Sequence, residues 1–269
     1  SNKNQMFLGA VHSHHRYTQL DMLLACSIGA HLASLPAIRV HLLYYPNTSI
    51  YQTEDTLRYV EYKTVGIQRI HQLSAIENSE ILNYIVDIAK NGIQYSKLIE
   101  FLVALDEDIT VEEADEYLNQ IIDAQLLVSE LEPNVTGMQY FERIIKVISK
   151  VPETGEVRQI KANLHLLKDH LASLDESFVN SPQAYQKVTS VIQEFRISFE
   201  EKYLFQTDLM LNTESCTIDK RLAGHIRRGL DVLNKLKLPV KETALSKFKD
   251  AFYHRYGSKE VSLLEALDV

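Results

Sequence analysis

Two carboxylates stand where chemistry could use them. Asp208 lies mid-strand in "FQTDLML", an ionisable group among apolar neighbours. Alternation with period two puts Gln206, Asp208 and Met210 on one face, so the position reads either as a water-facing strand residue or as a placed acid. Asp21 follows Arg16 by five positions in "RYTQLD". On its own it reads as a helix-start carboxylate favoured by the macrodipole, and Arg16 is suited to a phosphate or carboxylate contact. The "HSHH" run, with His12, His14 and His15, invites a metal. His12 and His14 would share a strand face, yet no carboxylate or cysteine completes a set at a familiar spacing. Neither a metal nor an organic cofactor is expected, because no ligand motif, Gly-rich phosphate loop, GxSxG elbow or Cys–His arrangement is present in the sequence.

The chain that must position these groups has 269 residues, 45% of them hydrophobic, enough for at least one proper core and long enough for two domains. Its net charge of −8 argues against a general nucleic-acid coat or an anionic-membrane binder. Cys26 and Cys216 stand alone, which fits a reducing, cytoplasmic setting. No apolar run approaches the roughly 20 residues of a membrane span, and no signal peptide is visible. Ser1-Asn2 reads as a cloning remnant and "SLLEALDV" stops inside an apolar segment, so an excised piece of a longer protein is expected.

Residues Met6–Val11 read as a strand, and "YTQLDMLLACSIGAHLASLP" as a helix closed by Pro36. From Ile38 to Ile76 the pattern is β, with turns at Pro46-Asn47 and Glu54-Asp55. Three helices follow: Asn78–Asn91, then Ser96–Leu105 capped by Ser96, then Thr110–Gln125. The third opens with a "TVEE" capping box and hands the chain to a strand in "QIIDAQLLVSELEPNVTG". Beyond it a second box, "TGMQ", should start a helix carrying Phe141, Ile144, Ile145 and Ile148. Val157 to Leu174 keep a 3-4 spacing that predicts one arm of a helical hairpin, with Tyr185–Phe195 as the other. "YLFQTDLML" reads as a strand, and Ser215–Leu236 and Thr243–Tyr256 as helices joined across Pro239.

Strands followed by three helices and a returning strand make a winged helix-turn-helix-like outline in an α+β chain whose remainder is mainly helical with short strands. The default ligand of that outline is DNA, read by the third helix. Charge opposes it: Glu77–Glu132 holds fourteen acidic residues against Lys90 and Lys97, a balance of −12. DNA affinity rests on cations that neutralise phosphate, so no DNA partner is expected, and a winged-helix transcription factor is disfavoured. What remains is an open sheet edge beside a helix, suited to an extended peptide added as a strand. The expected edge is Ile67–Ala75, presenting Ile67, Arg69, His71 and Leu73, with pockets against Tyr117, Leu118 and Ile121. The competing reading makes these apolar residues plain core, as amphipathic helix faces usually are.

The segments "HHRYTQLDMLL", "YYPNTSIYQTEDTLRYVEY", "EYLNQIIDAQLLVSELEPNVTGMQYFERII", "FQTDLML" and "FKDAFYHRYGSKEVSLLEALD" together resemble, in that order, the lantibiotic dehydratase family. The resemblance covers nearly the whole chain and places it in the N-terminal glutamylation region. It implies lanthipeptide (RiPP) biosynthesis: glutamate from glutamyl-tRNA is esterified to Ser and Thr hydroxyls of a ribosomal precursor peptide, and elimination then leaves dehydroamino acids. Glutamyl-tRNA is then the co-substrate, and the winged-helix unit recognises the leader of the precursor. On this resemblance residues 1–37 belong to the upstream glutamylation core, 38–132 to leader recognition, and 133–269 to the mainly helical remainder. It also turns Asp208 and Asp21 into candidate catalytic residues, with Arg16 a weaker tRNA contact. Residues Cys216 to Lys259 carry eleven Lys and Arg against four acids, a balance of +7. A solvated helix face would explain it; the sharper expectation puts "KRLAGHIRRGLDVLNKLK" beside the tRNA, with Arg227 and Arg228 on backbone phosphate. The family's upstream basic segment and its elimination domain lie outside this sequence, so the chain alone is expected to be inactive. The alternative is a non-catalytic peptide-binding module, stand-alone or degenerate. The sequence permits a homodimer.

Overall fold

The computed structural model describes every residue except 1–3, 54, 66–67, 106–107, 178, 238–241 and 268–269. In chain order, strand β1 (Gln5–Leu8) precedes β2 (His15–Leu20), helix α1 (Met22–Ser34) and the short α2 (Pro36–Arg39). Four strands follow: β3 (Leu43–Pro46), β4 (Tyr51–Thr53), β5 (Thr56–Val65) and β6 (Gln68–Glu77). Then come α3 (Glu80–Ile88), β7 (Ile93–Gln94), α4 (Tyr95–Leu105), α5 (Val111–Asp123) and β8 (Leu127–Ser129). Three longer helices, α6 (Tyr140–Ser149), α7 (Gly155–Asp175) and α8 (Pro182–Gln193), lead to β9 (Phe205–Met210) and β10 (Thr213–Thr217). The chain closes with α9 (Arg221–Leu236), α10 (Ala244–Tyr256) and α11 (Leu263–Leu267). Helices and strands are thus mixed along the sequence.

The residues fall into two compact units, Thr18–Thr207 and the smaller set formed by 1–17 with 208–269, so that the chain passes from one to the other within β2 and again within β9. In the larger unit β3 is the centre of a three-stranded sheet ordered β7-β3-β8, and β5 is the centre of a second ordered β4-β5-β6. β5 and β6 run antiparallel over ten residues each, from Thr56 opposite Glu77 to Val65 opposite Gln68. Leu57 and Tyr59 on one face of β5 join the core with Leu82 and Ile85 of α3, Leu98 and Leu102 of α4, and Leu118 and Ile121 of α5. The α7–α8 hairpin buries Leu164, Leu167 and Leu171 with Val188 and Ile192, the 3-4 periodicity having marked the face that packs. Gly92 ends the α3 segment at φ +82, and a side chain there would run into the Tyr45 ring, so both conformation and space require glycine.

Local chemistry decides several boundaries. The Thr110–Glu113 capping box forms as expected: Glu113 N donates to Thr110 Oγ1 at 3.2 Å and Thr110 N to Glu113 Oε2 at 3.0 Å. The helix expected from Tyr17 begins only at Met22, because Thr18 and Leu20 are buried while their neighbours are not, a strand alternation. Ser96 lies inside α4 rather than capping it. The "TGMQ" box does not form: α6 starts at Tyr140 without a side-chain cap, and Asn134 Nδ2 holds the preceding loop by donating to the Thr136 and Met138 carbonyls. Residues Thr213–Thr217, expected to belong in part to a helix starting at Ser215, pair instead with β1. α9 begins after Asp219, whose carboxylate takes the Arg221 amide at 2.8 Å and its guanidinium at 2.7 Å. Pro239 lies outside the described residues.

In the smaller unit β1 and β10 form an antiparallel pair. Among its described residues no apolar side chain is buried, and Asp219 is its one buried residue. All of α9 is exposed, including the apolar series Leu222, Ile226, Leu230 and Leu233.

Candidate functional site

The hydrogen bonds of β5 fix which groups β6 presents. Val60 donates its amide to Ser49 Oγ at 2.8 Å and its carbonyl accepts from Asn47 Nδ2 at 2.9 Å. Tyr62 donates to Gln125 Oε1 at 3.0 Å and accepts from Gln125 Nε2 at 2.8 Å. Both residues therefore turn their backbone groups away from β6. In an antiparallel ladder bonded and non-bonded pairs alternate, so their partners Leu73 and His71 turn their own groups outward as well. The same alternation assigns Arg69 and Ala75 to the outward set. Among the described residues β6 pairs with β5 alone, which leaves these amides and carbonyls at a sheet edge.

The opposite edge is closed by different means. β4 is three residues long, and beyond it Asn47, Ser49 and Gln125 bond the groups of β5 that a strand would need. Asn47 is itself fixed, its Oδ1 accepting from the Ser49 amide at 3.0 Å in an Asx turn. Gln125 sits at φ 59, in the left-handed region where a non-glycine residue is uncommon; that turn brings its amide back to Tyr62. Short or obstructed edges resist added strands. Among the described residues of this sheet, β6 is the edge left open.

Arg69 is anchored beside this edge. Its guanidinium pairs with Glu132 at 2.8 Å and lies 4.0 Å above the centre of the Tyr62 ring. Tyr62 donates its hydroxyl to the same carboxylate at 3.1 Å. Burial first, and the Glu132 carboxylate next, push the Tyr62 hydroxyl up to about 12. Burial also raises the Cys26 thiol nearby. A cavity of about 220 Å³ opens here, lined by Arg69, Tyr62, Glu132, Arg39 and Tyr140. Its far wall is α1, where Gly29 faces the Tyr140 hydroxyl so closely that any added side chain would collide; that hydroxyl donates to the Leu131 carbonyl at 2.5 Å. The cluster joins residues 63 positions apart, and nothing in their spacing announces it.

The remaining expected residues are placed as follows. Ile67 lies outside the described residues. His71 and Leu73 are exposed on β6, Leu73 at 44%. Tyr117 is half-buried, with its hydroxyl bonded to Ser79. Leu118 and Ile121 are 0% and 3% exposed and belong to the core, so they shape the unit from beneath and touch no partner at the surface. Asp21 is the N-cap of α1, accepting from the Leu23 amide at 2.8 Å. Asp208 is exposed on the part of β9 that belongs to the smaller unit, as are Arg227 and Arg228 on α9. Arg228 turns back toward its own helix, Nε to the Gly224 carbonyl at 3.3 Å. Arg16 is partly buried on β2. His14 accepts the Asn212 amide at 3.2 Å, and among the described residues no three His, Cys, Asp or Glu side chains gather as metal ligands. No described helix is long and apolar enough to cross a membrane.

A sequence-wide match then defines the class. Residues 4–269 fit the family model described as lantibiotic dehydratase, N terminus, and the chain belongs to that family. Its fold is shared by the tRNA-dependent lantibiotic dehydratase MibB from Microbispora sp. 107891 (TM-score 0.77, 16% identity), covering 100% of this chain and 26% of that one. It is shared too by the glutamylation domain TbtB from thiomuracin biosynthesis (TM-score 0.63, 16% identity), with 97% and 30% covered. A second structure of that domain, bound to 5'-phosphodesmethylglutamycin, aligns at TM-score 0.57 with 13% identity over 85% of this chain and 26% of that one. The chain therefore spans about a quarter to a third of these structures. No curated protein matches it.

Proposed function

We propose that this chain is the leader-binding part of a tRNA-dependent glutamyl transferase. In this reading residues 38–132 form a winged-helix recognition unit, and the leader of a ribosomal precursor peptide adds as a strand along β6. The observation that carries it is the one-sided sheet: Arg69, His71, Leu73 and Ala75 offer outward backbone groups while the other edge is closed by Asn47, Ser49 and Gln125. Main-chain bonds supply affinity in such additions, and side chains flanking the edge supply selection. The acidic α5, with Glu112, Glu113 and Glu116 exposed, turns the unit away from DNA.

Membership of the family and the likeness to glutamylation domains support the transfer step. A Ser or Thr hydroxyl of the bound precursor attacks the ester carbonyl of glutamyl-tRNA. The bond from that carbon to the terminal ribose oxygen breaks, the ribose hydroxyl takes a proton, and glutamate remains esterified to the peptide. Elimination by a separate site then releases glutamate, a far better leaving group than hydroxide. Asp21 and Asp208 are the candidates for positioning the acceptor hydroxyl or the tRNA end. Arg16, Arg227 and Arg228 are the candidates for contacting tRNA phosphate.

The test has two arms. A leader peptide encoded beside the parent gene is titrated while backbone amide signals of Gln68–Glu77 are followed; perturbation there is expected, and silence at saturation refutes the docking site. The full-length protein is then given glutamyl-tRNA and precursor, and the peptide mass is read for glutamyl esters. Docking without esters leaves a peptide-binding module and removes the transfer reading.

A further inference from the structure

A second cavity, inside the larger unit, plays no part in the peptide edge. It measures about 530 Å³ and is lined by Pro182, Tyr185 and Phe205 together with the polar Asn180, Gln186 and Glu201. That volume is within the ~300–1,000 Å³ of typical small-molecule sites. The Tyr185 and Phe205 rings stand 6.0 Å apart, inclined at 50°, and Tyr185 is 36% exposed. An aromatic wall open to water invites a flat partner.

The polar lining says which partner. No Lys or Arg lines the cavity among the described residues. The adjacent Lys202 pairs with Glu200 at 3.0 Å and lies over the Tyr203 ring. Phosphate, which needs cations, does not fit; a nucleobase, which stacks on aromatic rings whatever its sequence, does. Asn180 donates its amide nitrogen to the Leu174 carbonyl at 2.8 Å, which leaves Oδ1 as an acceptor. The Glu201 carboxylate accepts only. The Glu201 carboxylate and Asn180 Oδ1 favour a base with an exocyclic amine, adenine N6 or cytosine N4, and Gln186, which can both donate and accept, completes the polar lining.

We propose that the Tyr185–Phe205 cavity binds an unpaired, amine-bearing base from the single-stranded 3′ end of tRNA. The inference rests on the tRNA-dependent reading above and deepens it. Every tRNA ends in CCA, whose three bases all carry such amines, so one cavity serves any charged tRNA and leaves identity to be read elsewhere. The base stacks on Tyr185, and its amine donates to Glu201 or Asn180.

The probe is a minihelix RNA with an unpaired CCA end, compared with the same minihelix ending in UUU or with a terminal inosine. The chain should bind the CCA form more tightly than either. Tyr185→Ala should weaken CCA binding roughly 5- to 150-fold, the worth of one base stack, while Tyr185→Phe retains it. Glu201→Gln, whose amide can also donate, should narrow the gap between adenine and hypoxanthine. Equal affinity for the three ends, or a Tyr185→Ala variant that matches wild type while folded, overturns the proposal. Failure of the parent reading looks different. If the full-length protein transfers glutamate and its KM for glutamyl-tRNA is unmoved by Tyr185→Ala, the cavity idea falls alone. If neither minihelix nor tRNA binds, both fall.

Discussion

Leu73→Pro separates the sheet edge from the sheet. Leu73 faces Val60 across a pair in which both residues turn their backbone groups away from each other, so its amide makes no bond to β5. Proline is tolerated on edge strands when the missing N–H faces outward, and the β5–β6 ladder should survive. A peptide adding to β6 loses one main-chain bond at the middle of its contact. One net bond is worth about 0.5–1.5 kcal/mol, roughly 2- to 13-fold in affinity. The ring also stands where the incoming carbonyl must approach, so the upper part of that range or more is expected. Gln72→Pro is the contrast: Gln72 faces Glu61 in a bonded pair, and its amide is needed inside the sheet. It should lower thermal stability as well as affinity. Fluorescence anisotropy with a labelled leader peptide, alongside a melting curve for each variant, reads both quantities. Leader affinity within twofold of wild type in a folded Leu73→Pro protein would refute strand addition along β6.

Gly29→Ala places a methyl group against the Tyr140 hydroxyl and disturbs its bond to the Leu131 carbonyl; overpacking of this kind costs about 1–3 kcal/mol, a Tm lower by roughly 3–10 °C, and an unchanged Tm would contradict the packing. Tyr62, pushed up to about 12 by burial and by Glu132, keeps its proton longer in the folded chain than in the unfolded one. Its contribution is therefore whole below the ordinary tyrosine value of about 10 and is lost as pH rises toward 12; urea titrations across that window should show stability falling, less steeply in Tyr62→Phe. Replacing Arg227 and Arg228 together with Glu should weaken tRNA binding and reduce the slope of log K against log salt by roughly 1.5–2; an unchanged slope would remove both residues from the phosphate path.

Much of the larger unit is legible from local rules. The Thr110 capping box, the α7–α8 hairpin and the alternation of β5 and β6 each follow from side chains a few positions apart, and each forms. The outward set on β6 was within reach too, since Arg69, His71 and Leu73 share one parity. Leu118 and Ile121 show where periodicity stops: a 3.6-residue repeat marks a face that will be covered and is silent on whether the cover is the chain's own core or a guest. The Arg69–Tyr62–Glu132 cluster and the bracing of β5 by Gln125 depend on residues that meet only after the two sheets are built. Thr213–Thr217 has no apolar alternation to mark it, and its partner β1 lies some 200 positions away. Asp21 forms the helix-start contact that its position at the head of an apolar helix announces, its carboxylate accepting the Leu23 amide.

The absence of buried apolar side chains from the described residues of the smaller unit has a calorimetric meaning. Heat capacity on unfolding follows apolar surface newly wetted, at about 12–15 cal/mol/K per residue of ordinary globular protein. A segment whose leucines are already wet contributes little to it. The melting transition of this chain should then have the heat-capacity step of Thr18–Thr207 alone, about 2.5 kcal/mol/K rather than the roughly 3.6 its full length would give. The transition temperature would report on one unit and leave the other unread.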